Sequence, residues 1–368
     1  MMAEEQTRSY VKSEIPRIKG QLSARYLPEE SYRLWDRLVH DSPQGSIYST
    51  PEYLDILCTV AGGRFKILGI LRGDELVGGV ALYETPSLFG TGVTNRLLLY
   101  YNGLVLAAGK SQYPSQRTAQ ELEILSLLEK TLAGAGYARL RLHNRWPLYD
   151  LRPFIAAGWE VRPTYTYIAH FENLAALWER VDKNFRRLIR RCETQGVIIT
   201  DDDDFASFYR LHHQTHVRKG SPLYLPRDAF RRYVESLKAQ GLCRLYHARL
   251  PEGRAAATQL VLLGGFPVTH SVCAGAEPEF QNLGTTPYLR WKVFEQLAKM
   301  GYRANDLTDA ALNPVTHFKS QLGAELTMNL VVSRPDRRIY KTSQDMYRLY
   351  HRIGSYLHRK QVGKARQV

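Results

Sequence analysis

The chain has 368 residues, 44% of them hydrophobic and 23% charged, a globular rather than disordered composition with room for two domains of ordinary size. A net charge of +14 and a pI near 9.6 favour anionic partners (nucleic acid, phosphorylated cofactors, acidic polymers or membrane headgroups) without choosing among them. Cys58, Cys192, Cys243 and Cys273 are scattered with no CxxC pair, which argues against a disulfide framework or a zinc site and fits a reducing compartment.

The opening residues, Met-Met-Ala-Glu-Glu-Gln-Thr-Arg, hold no apolar core of a signal peptide. No apolar run approaches the roughly 18 residues of a spanning helix. A cytoplasmic protein of bacterial type is expected.

Residues 1–27 read as a poorly packed lead-in. A helix is expected from Pro28 to His40, with Tyr32, Trp35, Leu38 and Val39 on one face, and a second from Ser46 to Val60, with Pro51 in its first turn. The pattern then changes to strands: Phe65–Leu71, Leu76–Tyr83 and Leu97–Leu106, with a hairpin at Gly73-Asp74. Residues 113–135 return to helical spacing. Tyr137–Leu142 is a strand, Leu151–Ala157 a short helix, and Trp159–Phe171 a closing strand.

The second half repeats this order. Helices are expected at Leu174–Thr194, Phe205–Val217 and Arg227–Ala239, with a short strand at Val197–Thr200. Strands follow at Cys243–Arg249, Ala255–Leu263 and Val268–Ala274. Pro287–Met300 is a helix, with Pro287 suited to its first position and Thr286 to its cap. Arg303–Leu307 is a strand, Val315–Gln321 a short helix, and Leu326–Ser333 a strand. Gly136-Tyr137 and Gly301-Tyr302, Gly158 and Gly323, and Glu160 and Glu325 all match at an offset of 165 residues, the mark of an internal duplication. The units are then 28–171 and 172–333, flanked by the lead-in and a basic segment, 334–368.

Chemistry is unequal between the copies. Gln281, Gly284, Thr285 and Thr286 form a glycine loop at a helix start, where free N–H groups attract anions. At the offset, Ala119 stands opposite Gly284 and Phe154 opposite Lys319, so loop and lysine occur only in the second copy. One copy keeping its site while the other became a support or acceptor platform gives this pattern. Acyl transfer to an amine passes through a tetrahedral oxyanion, which a fixed cation in a dry site stabilises; Lys319 suits that role. Asp306 and Asp309 lie at a strand end and are candidates to accept the amine's proton, although Asp306 also suits a turn cap. No serine, cysteine or threonine is flanked by an evident base, so no covalent intermediate is expected. His212 and His216 are spaced i, i+4, a metal-capable spacing with no carboxylate nearby to complete the set, and no metal is expected.

The element order in each copy is helices, a three-strand meander, helix, strand, helix, strand. This α/β (α+β) layer architecture resembles the GNAT acyltransferase fold. Three places carry a closer resemblance. One is Asn184-Phe185-Arg186-Arg187-Leu188-Ile189-Arg190-Arg191, closing at Gly196-Val197. Another is Phe208-Tyr209 through Thr215 and Arg218. The third is Gly301-Tyr302 through Asp306, Phe318-Lys319 and Gly323. Covering roughly residues 30–333, two such units in tandem resemble the Fem-type aminoacyltransferases of bacterial envelope biosynthesis.

The resemblance implies transfer of an activated acyl group to an amine on an envelope or polysaccharide precursor. In GNAT relatives the donor is acyl-coenzyme A, whose pyrophosphate sits on a Gln/Arg-x-x-Gly-x-Gly/Ala loop; Gln281-x-x-Gly284-x-Thr286 keeps the first glycine and departs at the second. In Fem-type relatives the donor is aminoacyl-tRNA, and Phe318-Lys319 matches their Phe-Lys pair. Their cell-wall precursor site also uses an N-domain lysine, with no convincing counterpart near Thr50–Leu54. Thr215, Arg218 and Tyr224 match positions facing the family's substrate cleft, or form an ordinary helix end. A monomer without a tightly bound cofactor is expected. The competing class is a non-catalytic protein of the same fold whose basic surface binds nucleic acid or membrane.

The segment from Arg334 to Val368 carries ten Lys/Arg and two Asp. Tyr347, Tyr350, Ile353 and Leu357 recur at helical spacing, giving a basic amphipathic helix. It either packs on the body, contacts RNA phosphate, or lies on the inner face of a membrane.

Overall fold

A computed structural model describes residues 20–335, apart from Phe89, Leu97, Pro222 and Asn313. The first half comprises β1 (Leu22–Tyr26), α1 (Tyr32–Asp41), α2 (Pro51–Ala61), β2 (Arg64–Arg72), β3 (Glu75–Ser87), β4 (Gly90–Val93) and β5 (Leu104–Leu106). It continues through α3 (Pro114–Gly134), β6 (Arg139–Asn144), α4 (Arg152–Ala156) and β7 (Glu160–His170). The second half begins with α5 (Leu174–Arg180), α6 (Lys183–Thr194), β8 (Ile198–Asp201), α7 (Phe205–Arg218) and α8 (Arg227–Ala239). It continues with β9 (Cys243–Arg249), β10 (Ala255–Leu262), β11 (Val268–Ala276), α9 (Thr285–Lys299), β12 (Ala304–Asp306), α10 (Pro314–Ser320) and β13 (Glu325–Ser333).

Most elements follow the hydrophobic pattern, with the reversals where turn chemistry puts them. Thr50 caps α2 by accepting from the Tyr53 amide, and Pro51 opens that helix. Gly73, at φ +63°, turns β2 into β3. Four expectations are corrected. Leu22–Tyr26 is no loose lead-in but a strand antiparallel to β2. The strand expected at Leu97–Leu106 shrinks to β5, Leu104–Leu106, and an unexpected strand, β4, precedes it at Gly90–Val93; both pair with β3. The long helix at Leu174–Thr194 is broken after Arg180, because the Asp182 side chain accepts from the Asn184 amide and starts a new helix. Thr286 is not a cap: α9 begins two residues earlier than expected, at Thr285, with Gly284 in the cap position.

The thirteen strands form one sheet in the order β1-β2-β3-β4-β6-β13-β7-β12-β11-β10-β9-β8, with β5 off the path on β3. The closing strands are exchanged. β7 follows β6 in sequence, yet among the described residues it bonds only to β12 and β13, while β13 bonds only to β6 and β7. Each unit's sheet is therefore completed by the other's last strand. The duplication is exact in its anchor points: α3 and α9 end, β6 and β12 begin, and β7 and β13 begin 165 residues apart.

Three apolar cores support the sheet. α3 and α4 cover the first unit, with Leu125, Leu128 and Phe154 buried. α5, α6 and α9 cover the second, with Phe185, Ile189, Trp291 and Phe294. The third core joins the units: Trp35, Tyr53 and Leu57 pack with Phe208, Phe230, Tyr233 and Leu260.

Candidate active site

In the second unit β11 and β12 run parallel for only three pairs, Val268 with Ala304 to His270 with Asp306. β11 continues to Ala276 while β12 stops. Chain ends of parallel strands that diverge are where open α/β sheets place their ligands. The corresponding region of the first unit is occupied by its own backbone. Asn102 donates to the Arg141 carbonyl and accepts from the His143 amide, and Asn144 accepts from the Leu104 amide. That stitches the segment before β5 along β6. A side chain at Gly103 would come within 2.5 Å of Asn144 Cα, so the packing is tight.

Beyond β12 the chain makes an unusual turn. Thr308 and Asp309 both adopt left-handed backbone, at φ +47° and +55°, costly for a β-branched residue and of the kind concentrated at functional sites. The turn is held from inside. Asp306 accepts from the Thr308 amide at 2.7 Å, and Thr308 Oγ1 donates to the Ser271 carbonyl at 2.8 Å. From outside, the Lys319 ammonium donates to the carbonyls of both Thr308 and Asp309. α10 delivers that lysine, anchored by Phe318, whose ring lies 5.2 Å from Phe185 of α6.

Lys319 is held in an environment that weakens its proton affinity. Burial is the largest cause, followed by repulsion from Arg290, and its pKa falls to about 8 although Asp309 and Asp306 pull the other way. Lys219, just past α7, adds to the repulsion. An ammonium has three donors, and two are used on the turn; the third remains for a ligand.

The two acids are placed differently. Asp306 is fully buried and accepts from Tyr101 Oη at 2.7 Å and Thr166 Oγ1 at 2.5 Å, with His270 Nδ1 3.4 Å away. Burial alone would raise its pKa, but His270, Thr166 and Tyr101 hold it below the ordinary carboxylate value. It is thus a fixed negative charge with its oxygens occupied, tying the two units together through Tyr101 and Thr166. Asp309 is exposed on the turn beside Lys319.

The glycine loop lies at the start of α9. Gly284 sits at φ +92°, and a Cβ there would fall 2.5 Å from Leu188 Cβ of α6, so packing and backbone both require glycine. Gln281 is exposed, Thr286 half-buried and Thr285 buried, its hydroxyl 3.4 Å from the Phe280 carbonyl. Pro287 removes one donor from the first turn, leaving the Thr285 and Thr286 amides as its open N–H groups.

Arg218 and Thr215 are brought together at the end of α7. Arg218 donates to Thr215 Oγ1 and to the Ala276 carbonyl, both at 3.2 Å. Arg218 also lines an open cavity of about 620 Å³ with His213, Gln214, Val217, Glu277, Pro278 and Glu279. Tyr224 turns inward instead. Its hydroxyl meets Cys273 Sγ at 2.7 Å, within an aromatic cluster with His212 and Phe230. His212 is buried, hydrogen-bonded to the Ala274 carbonyl and, through burial, lowered to a pKa of about 4. Among the described residues no three His, Cys, Asp or Glu side chains are grouped to hold a metal ion, and no helix is long and apolar enough to cross a membrane. The basic segment expected to form a helix lies outside the described residues beyond Pro335.

Sequence reasoning missed Arg290, on α9, and Tyr101, which reaches Asp306 across the unit boundary. The repeat offset carried a signal for the first, since Leu125 stands at the matching place.

The fold and site define a class. Residues 179–320 match the family model described as an Acetyltransferase (GNAT) domain. No curated protein matches the sequence. Among solved structures the chain is similar to FemX, at 12% identity and a TM-score of 0.63, over 84% of this chain and 96% of that one. It is similar to the C-terminal domain of a putative lysylphosphatidylglycerol synthetase from Agrobacterium fabrum, at 10% identity and a TM-score of 0.54, over 83% and 92%. A tandem GNAT protein from the clavulanic acid biosynthesis pathway gives 14% identity and a TM-score of 0.50, over 85% and 98%. The protein therefore has the tandem GNAT fold, and its second unit is the part that matches the GNAT acetyltransferase domain model.

Proposed function

We propose that the protein is an N-acyltransferase. It moves an activated acyl or aminoacyl group, from acyl-coenzyme A or aminoacyl-tRNA, to an amine on a cell-envelope or polysaccharide precursor. The observation that carries this reading is Lys319: a half-buried ammonium, oriented by two carbonyls of a strained turn at the carboxyl end of β12, where the first unit holds Phe154.

The acceptor amine attacks the donor carbonyl carbon, and the carbonyl electron pair moves onto oxygen. The remaining N–H of Lys319 meets that oxyanion; a preorganised donor is most effective where water is excluded. Asp309, exposed beside the lysine, accepts the proton lost by the amine, directly or through water. Collapse re-forms the carbonyl and expels the thiol of coenzyme A or the ribose hydroxyl of tRNA, which takes that proton. Asp306 positions the turn rather than exchanging protons. The Gln281–Thr286 loop offers the Thr285 and Thr286 amides to a donor phosphate, and Arg218 with Thr215 faces the acceptor. Phe318 serves this reading by fixing α10. An envelope acceptor places the enzyme in the bacterial cytoplasm, at the inner face of the membrane.

The test begins with thermal stabilisation by coenzyme A, acetyl-coenzyme A, and aminoacylated and deacylated tRNA, at low and physiological salt. Consumption of the stabilising donor is then followed with amino-sugar and muropeptide acceptors. Lys319→Ala should keep its fold and lose about 100-fold or more in turnover. A salt-sensitive response to any RNA, with none to coenzyme A and no acyl consumption, would sink the transferase reading.

A further inference from the structure

The second unit holds a cation that this reaction does not use. Arg290 lies on α9, and its Nη1 is buried with no hydrogen-bond partner among the described residues. No carboxylate pairs with it there: the ion pairs of α9 belong to Lys292, with Glu193 and Glu295. Its charge is felt by Lys319, as is that of Lys219. A half-buried guanidinium with a buried, unpartnered N–H is costly to a fold. Burial lowers its pKa only to about 10, so it stays charged near neutral pH.

The duplication shows what the fold itself requires at these places. The 165-residue offset that aligns the ends of α3 and α9 sets Leu125 opposite Arg290 and Phe154 opposite Lys319. Leu125 and Phe154 are both fully buried core residues. Where the first unit has an apolar pair, the second has two cations. Stability alone would retain leucine and phenylalanine. Exchanging both for half-buried, like-charged groups costs stability, which a bound anion offsets.

Resting on the acyl-transfer reading, we propose that Arg290, through its unpartnered Nη1, forms a subsite for an anionic group of the substrate, a carboxylate or phosphate, while the remaining N–H of Lys319 stays with the oxyanion. A planar guanidinium suits either oxyanion because it binds two oxygens at once. The anion offsets the guanidinium charge, and its fixed place orients the substrate for attack. The substrate therefore carries a negative charge near its reactive end, and neutral analogues bind poorly.

The experiment titrates inorganic phosphate, pyrophosphate and malonate into the full-length protein at constant ionic strength and follows the melting temperature. At least one should stabilise the wild type saturably, beyond matched chloride. Arg290→Leu installs the residue of the first unit and should weaken that anion about tenfold or more. Arg33→Gln, at an exposed position far along the chain, should leave it unchanged. If the leucine variant does not fold, Arg290→Lys keeps the charge without the fork and should bind with intermediate affinity. Selective stabilisation by malonate indicates a carboxylate, and by the phosphates a phosphoryl group. No stabilisation beyond chloride, or full stabilisation in the variants, overturns the subsite. Anion binding without acyl transfer would remove the transferase reading and leave the subsite; acyl transfer indifferent to Arg290→Leu, with no anion binding, would do the reverse.

Discussion

Lys319 sits between opposed demands. Burial and neighbouring cations favour the neutral amine, while two carbonyls and Asp309 favour the ammonium, and the balance is a pKa of about 8. If the ammonium stabilises the oxyanion, kcat/KM falls as pH rises through about 8, approaching tenfold per unit. Lys319→Arg should remove that limb, because a guanidinium does not titrate there. A profile flat to pH 9.5 would take the lysine out of the reaction. Three other residues set the acid limit. His143, His212 and His247 are lowered to about 4, in each case chiefly by burial. The unfolded chain binds these protons first, at the ordinary histidine value of about 6.5. Stability is therefore full above about 6.5 and declines as pH drops towards 4. The urea midpoint should be lower at pH 5.0 than at pH 7.5; an unchanged midpoint would mean that the rings are already charged in the fold.

At the scale of elements, α9 depends on one position. Gly284 combines left-handed backbone with contact against Leu188. Gly284→Ala should cost about 2–4 kcal/mol, from the φ penalty and overpacking together. Leu188→Ala in the same chain should recover part of it, because the two side chains would no longer collide; a strictly additive double variant in urea melts would refute the contact. Elements of this kind were largely legible in the sequence. Periodicity gave the helices, Gly73-Asp74 the hairpin, and the repeat offset the matching ends of α3 and α9. Short pieces governed by tertiary pairing were not. Leu22–Tyr26 is a strand because β2 offers an edge, and the segment before β5 is held by the side chains of Asn102 and Asn144 rather than by its own pattern. Asp309 was visible as an acid at a strand end, and Lys319 as the lysine of the short helix that follows. That Asp306 has its oxygens occupied was not, since Tyr101 and Thr166 reach it from far along the chain. Arg290 reads as an ordinary surface residue of a helix until its buried, unpartnered Nη1 is known.

In the whole molecule, the exchanged strands govern integrity. β7 has no ladder partner within its own half, and β13 has none within its own. The core of Trp35, Tyr53, Phe208 and Tyr233 is shared as well. No local pattern specifies such pairing, which is why the sequence suggested two self-contained units. Residues 20–171 and 172–335 produced separately should fail to unfold cooperatively, since each leaves strand edges and apolar surface open. Produced together, they should assemble into one species melting near the intact chain. Independent folding of either fragment, seen by circular dichroism and calorimetry, would contradict the exchange. The same exchange bears on descent. A gene duplication whose products lend each other a strand cannot be undone by deletion, because the surviving copy would lose its own closure. The copy with Ala119 and Phe154 opposite Gly284 and Lys319 can therefore lack the loop and the lysine, but it cannot be removed.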